Sequence, residues 1–564
     1  MEVDHELVEV DEFDALAIEV KLSPTSTAAT DEVEARALWP LVAEASGKYP
    51  AKEHAKKVAK ELGARDGLIY LLGQESQRYE DSDMAPEFRQ RRYFYYLSGA
   101  GFANCAVTYE IARDWLILWI PYTDPRQVLW YGTTPGIAEC KERLHVDDVR
   151  YTFNLTSYLH RYLRQHPQTT VFALHPGQTP KLDGDGDGPP TGAAAPHIDT
   201  ARLRPAMDAA RVVKTDYEVA LIRQANAVTS AAHRAVLERL RRLTNECELE
   251  AIFQATCMAR GAKKMAYPVI AGSGTNAATL HYEDNDQSLA GRQLVVLDAG
   301  CEWACYASDV TRTLPLTRTR TRDGRLGGGG GAMIAPTPEA AAIYAVVERM
   351  QDECVSRVRP GASFRSLHAR ACAVAVGGLL RLGLLRGGTA GEVLALGTVA
   401  AFFPHGLGHH VGLEVHDVAG GEPLLLPAAA AAAAGGGRGL GGLGTRGRGA
   451  AGRREWVSPE MAAALCRGGG TASSSSSLGG GGRRLEKNMV VTIEPGIYFC
   501  REYIEAYFLT NAAHAKYIDK AVLEKYYPVG GVRIEDDILV TEDGYENLTT
   551  APKGDEALRI INGS

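Results

Sequence analysis

The sequence predicts an α/β protein of two domains, and three observations support this fold class. The chain has 564 residues, more than one hydrophobic core usually organises. Its composition, with 45% hydrophobic and 23% charged residues, is that of an ordinary globular protein. Strand-like apolar runs mix with helical patterns on both sides of a segment rich in Gly, Asp and Pro, residues 182–200. Such a segment cannot form a core and is expected to be a linker.

The first predicted domain spans residues 46–181 and follows an acidic leader, residues 1–45, that is expected to be loosely ordered. Apolar residues at helical spacing predict a helix in AKEHAKKVAKELG. Clustered apolar, aromatic and β-branched residues predict strands in GLIYLLG, RYFYYLSG, NCAVTYEI and DWLILWIPY. This combination indicates a mixed α/β domain.

The second predicted domain spans residues 201–564. A long helix is expected after Thr215, because Thr215 and Glu218 have the spacing of a capping box. Another helix is expected to begin near Pro338 and to stop before Pro360. Low-complexity inserts at about 317–335 and 427–484 have too little apolar surface to offset their ordering entropy. We expect both inserts to be disordered.

Charge and terminal composition argue against several classes of protein. The formal net charge of -8 disfavours nucleic acid as a partner. The acidic N-terminus lacks the pattern of a secretory signal, and no apolar run is long enough to cross a bilayer. A cytoplasmic protein without a membrane partner is therefore expected. In such a protein its ten cysteines are expected to be free thiols. Cys301 and Cys305 lie four positions apart, but no second cysteine pair follows at the spacing of a structural zinc site.

Four acidic residues lie in short apolar strands of the second domain. The segments are LVVLDAG, YASDVTRT, VVTIEPGIY and GVRIEDDILVT, and their carboxylates belong to Asp298, Asp309, Glu494 and Glu535. A carboxylate in an apolar strand is costly unless it is paired or binds a metal ion. One such residue would more often be an ordinary hydrogen-bonding group. Four of them in one domain indicate a metal site.

A histidine segment, FPHGLGHHVGLEVHD, lies between these strands and contains His405, His409, His410 and His416. Imidazole beside several carboxylates suits a divalent cation such as Mn, Co or Zn. Four carboxylates carry a formal charge of -4, which two divalent cations would balance. Two cations bridged by carboxylates and a water are the usual arrangement in aminopeptidases, among other enzymes.

Strand alternation adds a residue next to this site. In VRIEDDILV, Arg533 and Glu535 share one face, because side chains repeat every second residue. The apolar residues Val532, Ile534 and Ile538 share the other face. Arg533 is therefore expected to hold a metal-binding carboxylate.

Taken in order along the chain, these motifs resemble those of the pita-bread metallopeptidases. LDAG, SDVTRT, HGLGHHVGLEVHD, TIEPGIY and VRIEDD are similar to the aminopeptidase P and prolidase branch, in its fungal Xaa-Pro aminopeptidase form. FRQRRYFYYLSG is similar to the amino-terminal domain of aminopeptidase P. The resemblance implies an N-terminal mixed α/β domain followed by a pita-bread catalytic domain.

The resemblance also implies a ligand set for two divalent metal ions, with Mn²⁺ expected. Asp298 would bind one ion through both of its oxygens. Asp309 and Glu535 would bridge the two ions, and His409 and Glu494 would complete the protein ligands of the other ion. None of the five positions is substituted in this chain.

Further residues correspond to groups that act on the substrate in this family. His281, in TLHYEDND, resembles a histidine near the substrate carbonyl, and His416 resembles another that contacts the substrate. Either one is expected to stabilise the oxyanion. Glu494 is expected to accept the proton of the attacking water. His405 and Arg533 are expected in the substrate-binding wall.

The activity implied is that of a Xaa-Pro aminopeptidase, which would hydrolyse the bond between the first residue and a following proline through a hydroxide bridging two metal ions. Its partners would be peptides with proline at the second position, and the resemblance admits a homodimer. Prolidase, which cuts Xaa-Pro dipeptides, is an alternative with the same metal site. Methionine aminopeptidase fits less well, because those enzymes lack the large N-terminal domain. A non-catalytic pita-bread protein is a further alternative, but it predicts a broken ligand set.

Overall fold

The computed structural model describes residues 47–181, 197–318, 333–421, 424–425, 457–466 and 483–563. The acidic leader, most of the linker and most of both low-complexity inserts lie outside these residues. The predicted domain boundary at 182–200 therefore stays a prediction. Helices and sheets mix throughout the described chain, which confirms the α/β fold class.

The N-terminal part is built on a six-stranded mixed sheet with the strand order β4-β3-β2-β1-β5-β6. Strand β1 pairs antiparallel with β2 and parallel with β5. The strands are β1 (Leu68–Leu72), β2 (Ala106–Glu110), β3 (Trp115–Ile120), β4 (Asp148–Tyr151), β5 (Thr170–Ala173) and β6 (His197–Asp199). The helices are α1 (Ala51–Leu62), α2 (Arg92–Ser98), α3 (Pro125–Tyr131), α4 (Ile137–Arg143), α5 (Leu155–Gln165) and α6 (Leu203–Val212). Helix α1 and strands β1, β2 and β3 lie where the sequence predicts them.

The strand prediction for RYFYYLSG is wrong, because these residues form the helix α2. The aromatic residues that favour a strand are buried on a helix instead, against α1 and β1. Gly99 ends this helix with a left-handed φ of 69°, and its N–H donates to the oxygen of Tyr95 at 2.7 Å. Tertiary burial and this glycine cap outweigh the intrinsic strand preference of the segment.

Within its described residues, the C-terminal part has four smaller sheets among helices, with the strand orders β11-β10-β7, β12-β9-β8, β13-β16-β17 and β14-β15. The helices are α7 (Asp216–Arg239), α8 (Glu246–Ala259), α9 (Pro338–Val355), α10 (Phe364–Arg381), α11 (Ala390–Leu396), α12 (Pro459–Cys466), α13 (Arg501–Ile504), α14 (Ala512–Ala515), α15 (Lys520–Tyr526) and α16 (Gly554–Asn562). The strands are β7 (Lys264–Met265), β8 (Ile270–Ser273), β9 (Leu294–Asp298), β10 (Cys301–Trp303), β11 (Tyr306–Ala307), β12 (Thr311–Pro315), β13 (Val490–Ile493), β14 (Gly496–Tyr498), β15 (Gly531–Arg533), β16 (Asp536–Val540) and β17 (Tyr545–Asn547).

Both helix starts predicted in this part are confirmed. The N–H of Glu218 donates to Thr215 Oγ1, and the N–H of Thr215 donates to Glu218 Oε2, so the capping box before α7 is complete. Helix α9 begins at Pro338, with Thr337 accepting the N–H of Ala340 at its cap. Local signals of this kind define the helix ends before any tertiary contact is considered.

The expected disorder of residues 427–484 is wrong for one described stretch, the helix α12. Its residues Ala462, Ala463 and Leu465 are buried, and the helix packs against α10 and α11. Ala462 and Leu465 are three positions apart, so together with Ala463 they give this stretch a small apolar face on one side of a helix.

The largest apolar cluster packs α9, α10, α15 and the buried faces of β13, β15 and β16 together. A second cluster joins the helices α1 and α2 to Tyr306, Val411 and Leu413 of the C-terminal part. No helix in the described residues combines the length and apolar character of a membrane span.

Candidate metal centre

Three carboxylates meet where two sheets touch. Thr311 at the start of β12 pairs with Asp298, the last residue of β9, and forms an isolated bridge with Glu535. Asp309 precedes β12 by two residues. Carboxylate oxygens of Asp298, Asp309 and Glu535 all lie within 4.8 Å of one another, and the three residues are at most 8% exposed. Strand pairing thus brings together residues that are more than 200 positions apart.

Glu494 and Glu535 lie at breaks between strands, and not inside strands as the sequence predicts. Glu494 follows β13, and Glu535 separates β15 from β16. Their backbone N–H groups donate to the oxygens of Leu407 at 2.8 Å and Thr311 at 3.2 Å. These long-range bonds satisfy the backbone where the ladder pairing stops.

A close approach of the backbone at Gly408 to Thr492 places His409 beside the carboxylates. A Cβ on Gly408 would lie 2.1 Å from the oxygen of Thr492, so only glycine permits this approach. The N–H of His409 donates to Thr492 Oγ1 at 2.9 Å. His409 Nε2 then lies 3.2 Å from Glu494 Oε1 and 3.3 Å from Asp309 Oδ2.

The electrostatics of the carboxylate cluster show a deficit of positive charge. Burial raises the pKa of Glu535 well above its usual range, and the neighbouring Asp309 and Glu494 raise it further. Burial also raises the pKa of Asp298, which Arg533 opposes and Asp309 reinforces. Burial lowers the pKa of His409, but its hydrogen bonds to Asp309 and Glu494 outweigh this effect and raise it well above the usual range. The cluster therefore lacks the cations that would keep all its carboxylates charged.

The donor set fits divalent cations. Oxygen and nitrogen atoms converge in three overlapping groups, each with its atoms within 4.8 Å of one another. The groups are Asp298 with Asp309 and Glu535, His409 with Glu494 and Glu535, and Asp309 with His409 and His416. Carboxylate and imidazole ligands without thiolate suit ions such as Mn, Co or Zn. His409 Nδ1 lies 3.1 Å from the oxygen of His410, and donation to that oxygen would leave Nε2 for an ion.

Arg533 connects the cluster to a buried tyrosine. Its Nη2 donates to Asp298 Oδ2 at 2.6 Å, and its Nη1 donates to the hydroxyl oxygen of Tyr498 at 2.9 Å. Its Nε donates to Thr311 Oγ1, which itself donates to Glu535 Oε2 at 2.6 Å. Arg533 is only 4% exposed, and these contacts suit the predicted orientation of metal-binding carboxylates. Its place in the substrate-binding wall stays a prediction.

The three other histidines of the prediction lie in different places. His405 is buried, with Nε2 at 2.9 Å from Tyr498 OH and Nδ1 at 3.9 Å from Glu494 Oε2. His416 is exposed, and its ring centroid lies 4.2 Å from that of His409. His281 is exposed on the segment after the turn Gly274–Ala278 and belongs to none of the three ligand groups. Its role stays a prediction.

Two residues outside the predicted set, Tyr267 and Asp537, also contact predicted ligands. The hydroxyl of Tyr267 lies 2.6 Å from Asp298 Oδ1 and also contacts Asp309. Asp537 Oδ2 accepts the N–H of Asp309 at 2.9 Å and Asn226 Nδ2 at 2.7 Å. Burial and the charge of Asp309 raise the pKa of Asp537 to about 8. Asp537 shares the strand face of Glu535, a signal that alternation offers, whereas Tyr267 lies in no motif.

The cysteine prediction agrees with the structure, in which all ten are free thiols. Cys301 is buried and Cys305 is half-buried, and neither belongs to a candidate ligand group of the described residues. The candidate ligands of the centre are therefore oxygen and nitrogen atoms.

Comparison with known proteins agrees with this geometry. The family described as metallopeptidase family M24 matches residues 220–542, and the aminopeptidase P N-terminal domain matches residues 51–172. A relative from Colletotrichum graminicola, named "Probable Xaa-Pro aminopeptidase", is 56% identical and covers 100% of this chain and 99% of its own length. A relative of the same name from Metarhizium robertsii is 53% identical, with the same coverage of both chains.

Solved structures show the same fold. Aminopeptidase PepP of Pseudomonas aeruginosa superposes with a TM-score of 0.66 at 26% identity, over 92% of this chain and 99% of that one. Aminopeptidase P of E. coli with the inhibitor Pro-Leu gives a TM-score of 0.64 at 23% identity, with the same coverage. The predicted pita-bread architecture with an aminopeptidase P N-terminal domain is confirmed. The chain belongs to metallopeptidase family M24, in its aminopeptidase P branch.

Proposed function

We propose that this chain is a Xaa-Pro aminopeptidase, a metallo-hydrolase that releases the first residue of peptides with proline at the second position. One observation carries this proposal. A full set of five candidate metal ligands converges, in a chain that is 56% identical over its whole length to a relative named "Probable Xaa-Pro aminopeptidase". A non-catalytic relative of this fold would be expected to have lost part of the set.

Two metal ions, with Mn²⁺ as the expected ion, are part of the proposal. Asp309, Glu535 and His409 each belong to two of the three ligand groups. Of these three, only the carboxylates have two oxygen atoms, so Asp309 and Glu535 are the residues that could contact both ions. Asp298 shares a ligand group with both carboxylates, and His409 and Glu494 share another group with Glu535. When bound, such ions supply Lewis acidity, which lowers the pKa of water and stabilises developing negative charge.

The chain's own residues would then orient the peptide and move the proton. Glu494 would accept a proton from the attacking water and pass it to the proline nitrogen that leaves. Thr492 donates to Glu494 Oε1 at 3.1 Å and holds that carboxylate in place. Burial raises the pKa of Glu494, but contact with the imidazole of His409 outweighs this and lowers it to about 2 in the metal-free chain. The exposed ring of His416 would donate to the carbonyl oxygen of the first residue.

Proline makes this bond unusual as a substrate. Its nitrogen has no hydrogen to donate, its φ is fixed, and it restricts the residue before it. A peptidase that holds its substrate through that N–H loses a contact, whereas a pocket shaped for the ring gains selectivity. His405 and Tyr498, which lie beside Glu494 and Arg533, are candidates for the wall of such a pocket.

Prolidase would use the same metal centre, but the comparisons do not favour it, because the curated relatives carry the name Xaa-Pro aminopeptidase. A cytoplasmic location, a homodimer and the absence of nucleic-acid and membrane partners stay predictions from the sequence.

Activity on matched peptides tests the proposal. The full chain, loaded with Mn²⁺, is assayed on Ala-Pro, Ala-Pro-Ala and Ala-Ala-Ala, with and without a chelator. We expect release of alanine from Ala-Pro-Ala, little from Ala-Ala-Ala, and loss of activity with chelator and in Asp309→Ala. Cleavage of Ala-Pro alone would favour prolidase. No cleavage of either proline peptide would overturn the proposed function.

A further inference from the structure

The segment that carries His416 is anchored by a buried ionic cluster outside the metal centre. Arg211 Nη2 donates to Asp417 Oδ1 at 2.6 Å, and Lys214 Nζ donates to Asp417 Oδ2 at 3.1 Å. All three side chains are at most 2% exposed. Arg211 lies in helix α6 and Lys214 just before α7, so the anchor comes from the chain that connects the two parts of the molecule. We call these three residues the Asp417 clamp.

The backbone between His410 and Asp417 closes into a tight loop. The N–H of Asp417 donates to the oxygen of His410 at 2.8 Å, and the N–H of Gly412 donates to the oxygen of Glu414 at 3.1 Å. A Cβ on Gly412 would lie 2.2 Å from Asp417 Oδ2, so glycine is required where the loop folds onto the clamped carboxylate. The position of His416 thus depends directly on the position of Asp417.

A second ionic contact holds the other side of this loop. Arg89 Nη2 donates to Glu414 Oε2 at 2.9 Å, and its Nη1 lies 2.7 Å from Glu302 Oε1. Arg92, from helix α2, also pairs with Glu302. Between the two contacts, Leu413 is 1% exposed within the same apolar cluster as the aromatic residues of α2. The exposed His416 therefore projects from a loop that the buried Asp417 clamp holds on one side. The buried Leu413 and the half-exposed pair of Arg89 and Glu414 hold the other side more weakly.

We propose that Arg211 and Lys214 are positioning residues for catalysis, which act through Asp417 to orient His416 toward the substrate carbonyl. This inference rests on the proposed function, because it assigns His416 to the oxyanion. An exposed imidazole on a glycine-containing loop samples several orientations unless its neighbours are fixed. Arg211 also lies near the carboxylate of Asp208, so the charges around the clamp are close to balanced. Ion pairs buried this deeply add little net stability, because the cost of desolvating the charges offsets their attraction. A requirement for precise loop geometry accounts for this arrangement.

Turnover of Ala-Pro-Ala by the Mn²⁺-loaded full chain tests the inference. Asp417→Asn keeps the side-chain volume but removes the charge that both cations hold. We expect kcat to fall by about 10- to 100-fold, with KM within about twofold because the lost contact acts in the transition state. Glu546→Gln is the matched control. It removes the charge from the half-exposed pair of Arg223 and Glu546, away from the loop, and is expected to leave kcat unchanged.

A double-mutant cycle separates positioning from a structural role. In the background of His416→Ala, Asp417→Asn is expected to have no further effect on kcat, since the residue that it positions is gone. An undiminished effect in that background would overturn the proposal. Because Asp417 also contacts the oxygen of His410, close to His409, bound manganese is measured in every variant. Loss of metal from Asp417→Asn would place its effect on metal binding, through His409 or through His416 of the same ligand group, and would also overturn the proposal.

Lys214→Met covers the case in which Asp417→Asn does not fold. This variant leaves one cation on one carboxylate, a neutral pair that is compatible with folding. We expect a smaller fall in kcat in the same direction, and an unchanged kcat would overturn the proposal. Failure of the proposed function is seen separately, because wild type would then not cleave Ala-Pro-Ala at all.

Discussion

Glu535 and Asp536 are neighbours in the chain, yet they lie in opposite electrostatic surroundings. Glu535 belongs to the carboxylate cluster with Asp298 and Asp309, where burial and like charges raise its pKa. Asp536 points to the other side of the strand, where Arg312 Nη2 lies 2.8 Å and Lys553 Nζ lies 3.1 Å from its oxygens. Burial raises the pKa of Asp536, but these two cations outweigh that effect and lower it.

This difference shows how to distinguish a metal site from a structural ion pair. Both carboxylates are 1% exposed, so burial alone does not separate them. The supply of positive charge does, because Asp536 has two protein cations for one carboxylate. The four carboxylates of the cluster share only Arg533 and the imidazole of His409 among the described residues. A buried carboxylate without a neighbouring protein cation is stable only when it is protonated or holds a metal ion.

The largest expected effect is the loss of turnover when the cluster is broken. Asp309→Asn removes a carboxylate that two ligand groups share. We expect kcat on Ala-Pro-Ala to fall by at least about 10³-fold, equivalent to roughly 4 kcal/mol of transition-state stabilisation. Because the variant also removes charge repulsion, denaturant unfolding of its metal-free form is expected to show stability no lower than that of metal-free wild type. Near-normal turnover would contradict the assignment of Asp309.

The opposite combination, a loss of stability with normal metal binding, is expected when the ion pair of Asp536 and Arg312 is broken. Asp536→Asn leaves Arg312 with a weakened partner in a buried site, and we expect a loss of about 3 kcal/mol in the free energy of unfolding. Manganese content at saturation is expected to match wild type. Stability within about 0.5 kcal/mol of wild type would show that the pair is not structural.

His368 is a third kind of buried ionisable group, beside Glu535 in the carboxylate cluster and Asp536 in its ion pair. Its imidazole is fully buried and has no carboxylate partner among the described residues. Burial, with a smaller contribution from His405, lowers its pKa to about 3. The stability that it contributes is therefore fully present above its unfolded pKa of about 6.5 and is lost as the pH falls toward 3. Denaturant unfolding at pH 7.5 and 5.0 is expected to show a drop about 2 kcal/mol larger in wild type than in His368→Leu. Equal drops in the two proteins would contradict this account.

The smallest expected effect concerns the tyrosine that supports the cluster. Tyr267→Phe removes a hydroxyl that contacts Asp298 and Asp309. We expect manganese to bind about 10-fold more weakly, equivalent to about 1.4 kcal/mol. Manganese titration of the metal-free variant measures the change, with Tyr545→Phe, an exposed tyrosine, as control. Unchanged affinity would remove Tyr267 from the metal centre.

Local chemistry explains which parts of the fold could be predicted from the sequence. The capping box of Thr215 and Glu218 and the helix start at Pro338 depend on neighbouring residues, and both predictions are confirmed. Helix α2 was beyond such reasoning, because its aromatic residues favour a strand and only packing against α1 and β1 makes them helical. Helix α12 was missed for a related reason, since eight residues of ordinary composition are hidden in low-complexity sequence.

The candidate site divides in the same way, into residues that sequence motifs predict and contacts that only the folded chain creates. The ligand residues could be selected because each lies in a motif, and the predicted neighbour Arg533 follows from strand alternation. The breaks at Glu494 and Glu535 could not be predicted, since they depend on backbone bonds to Leu407 and Thr311, far away in the sequence. Tyr267 carries no sequence signal, because its contact with the cluster exists only after β9 and β12 have paired.

Metal stoichiometry tests the central claim most directly, because the carboxylate cluster is interpreted as a site completed by cations. Metal-free protein at pH 7.5 is equilibrated with Mn²⁺, and bound ions are counted per chain beside Asp309→Asn and Asp536→Asn. The account predicts about two tightly bound ions in wild type and in Asp536→Asn, and fewer in Asp309→Asn. Fewer than two ions in wild type at saturation, or an undiminished count in Asp309→Asn, would contradict it.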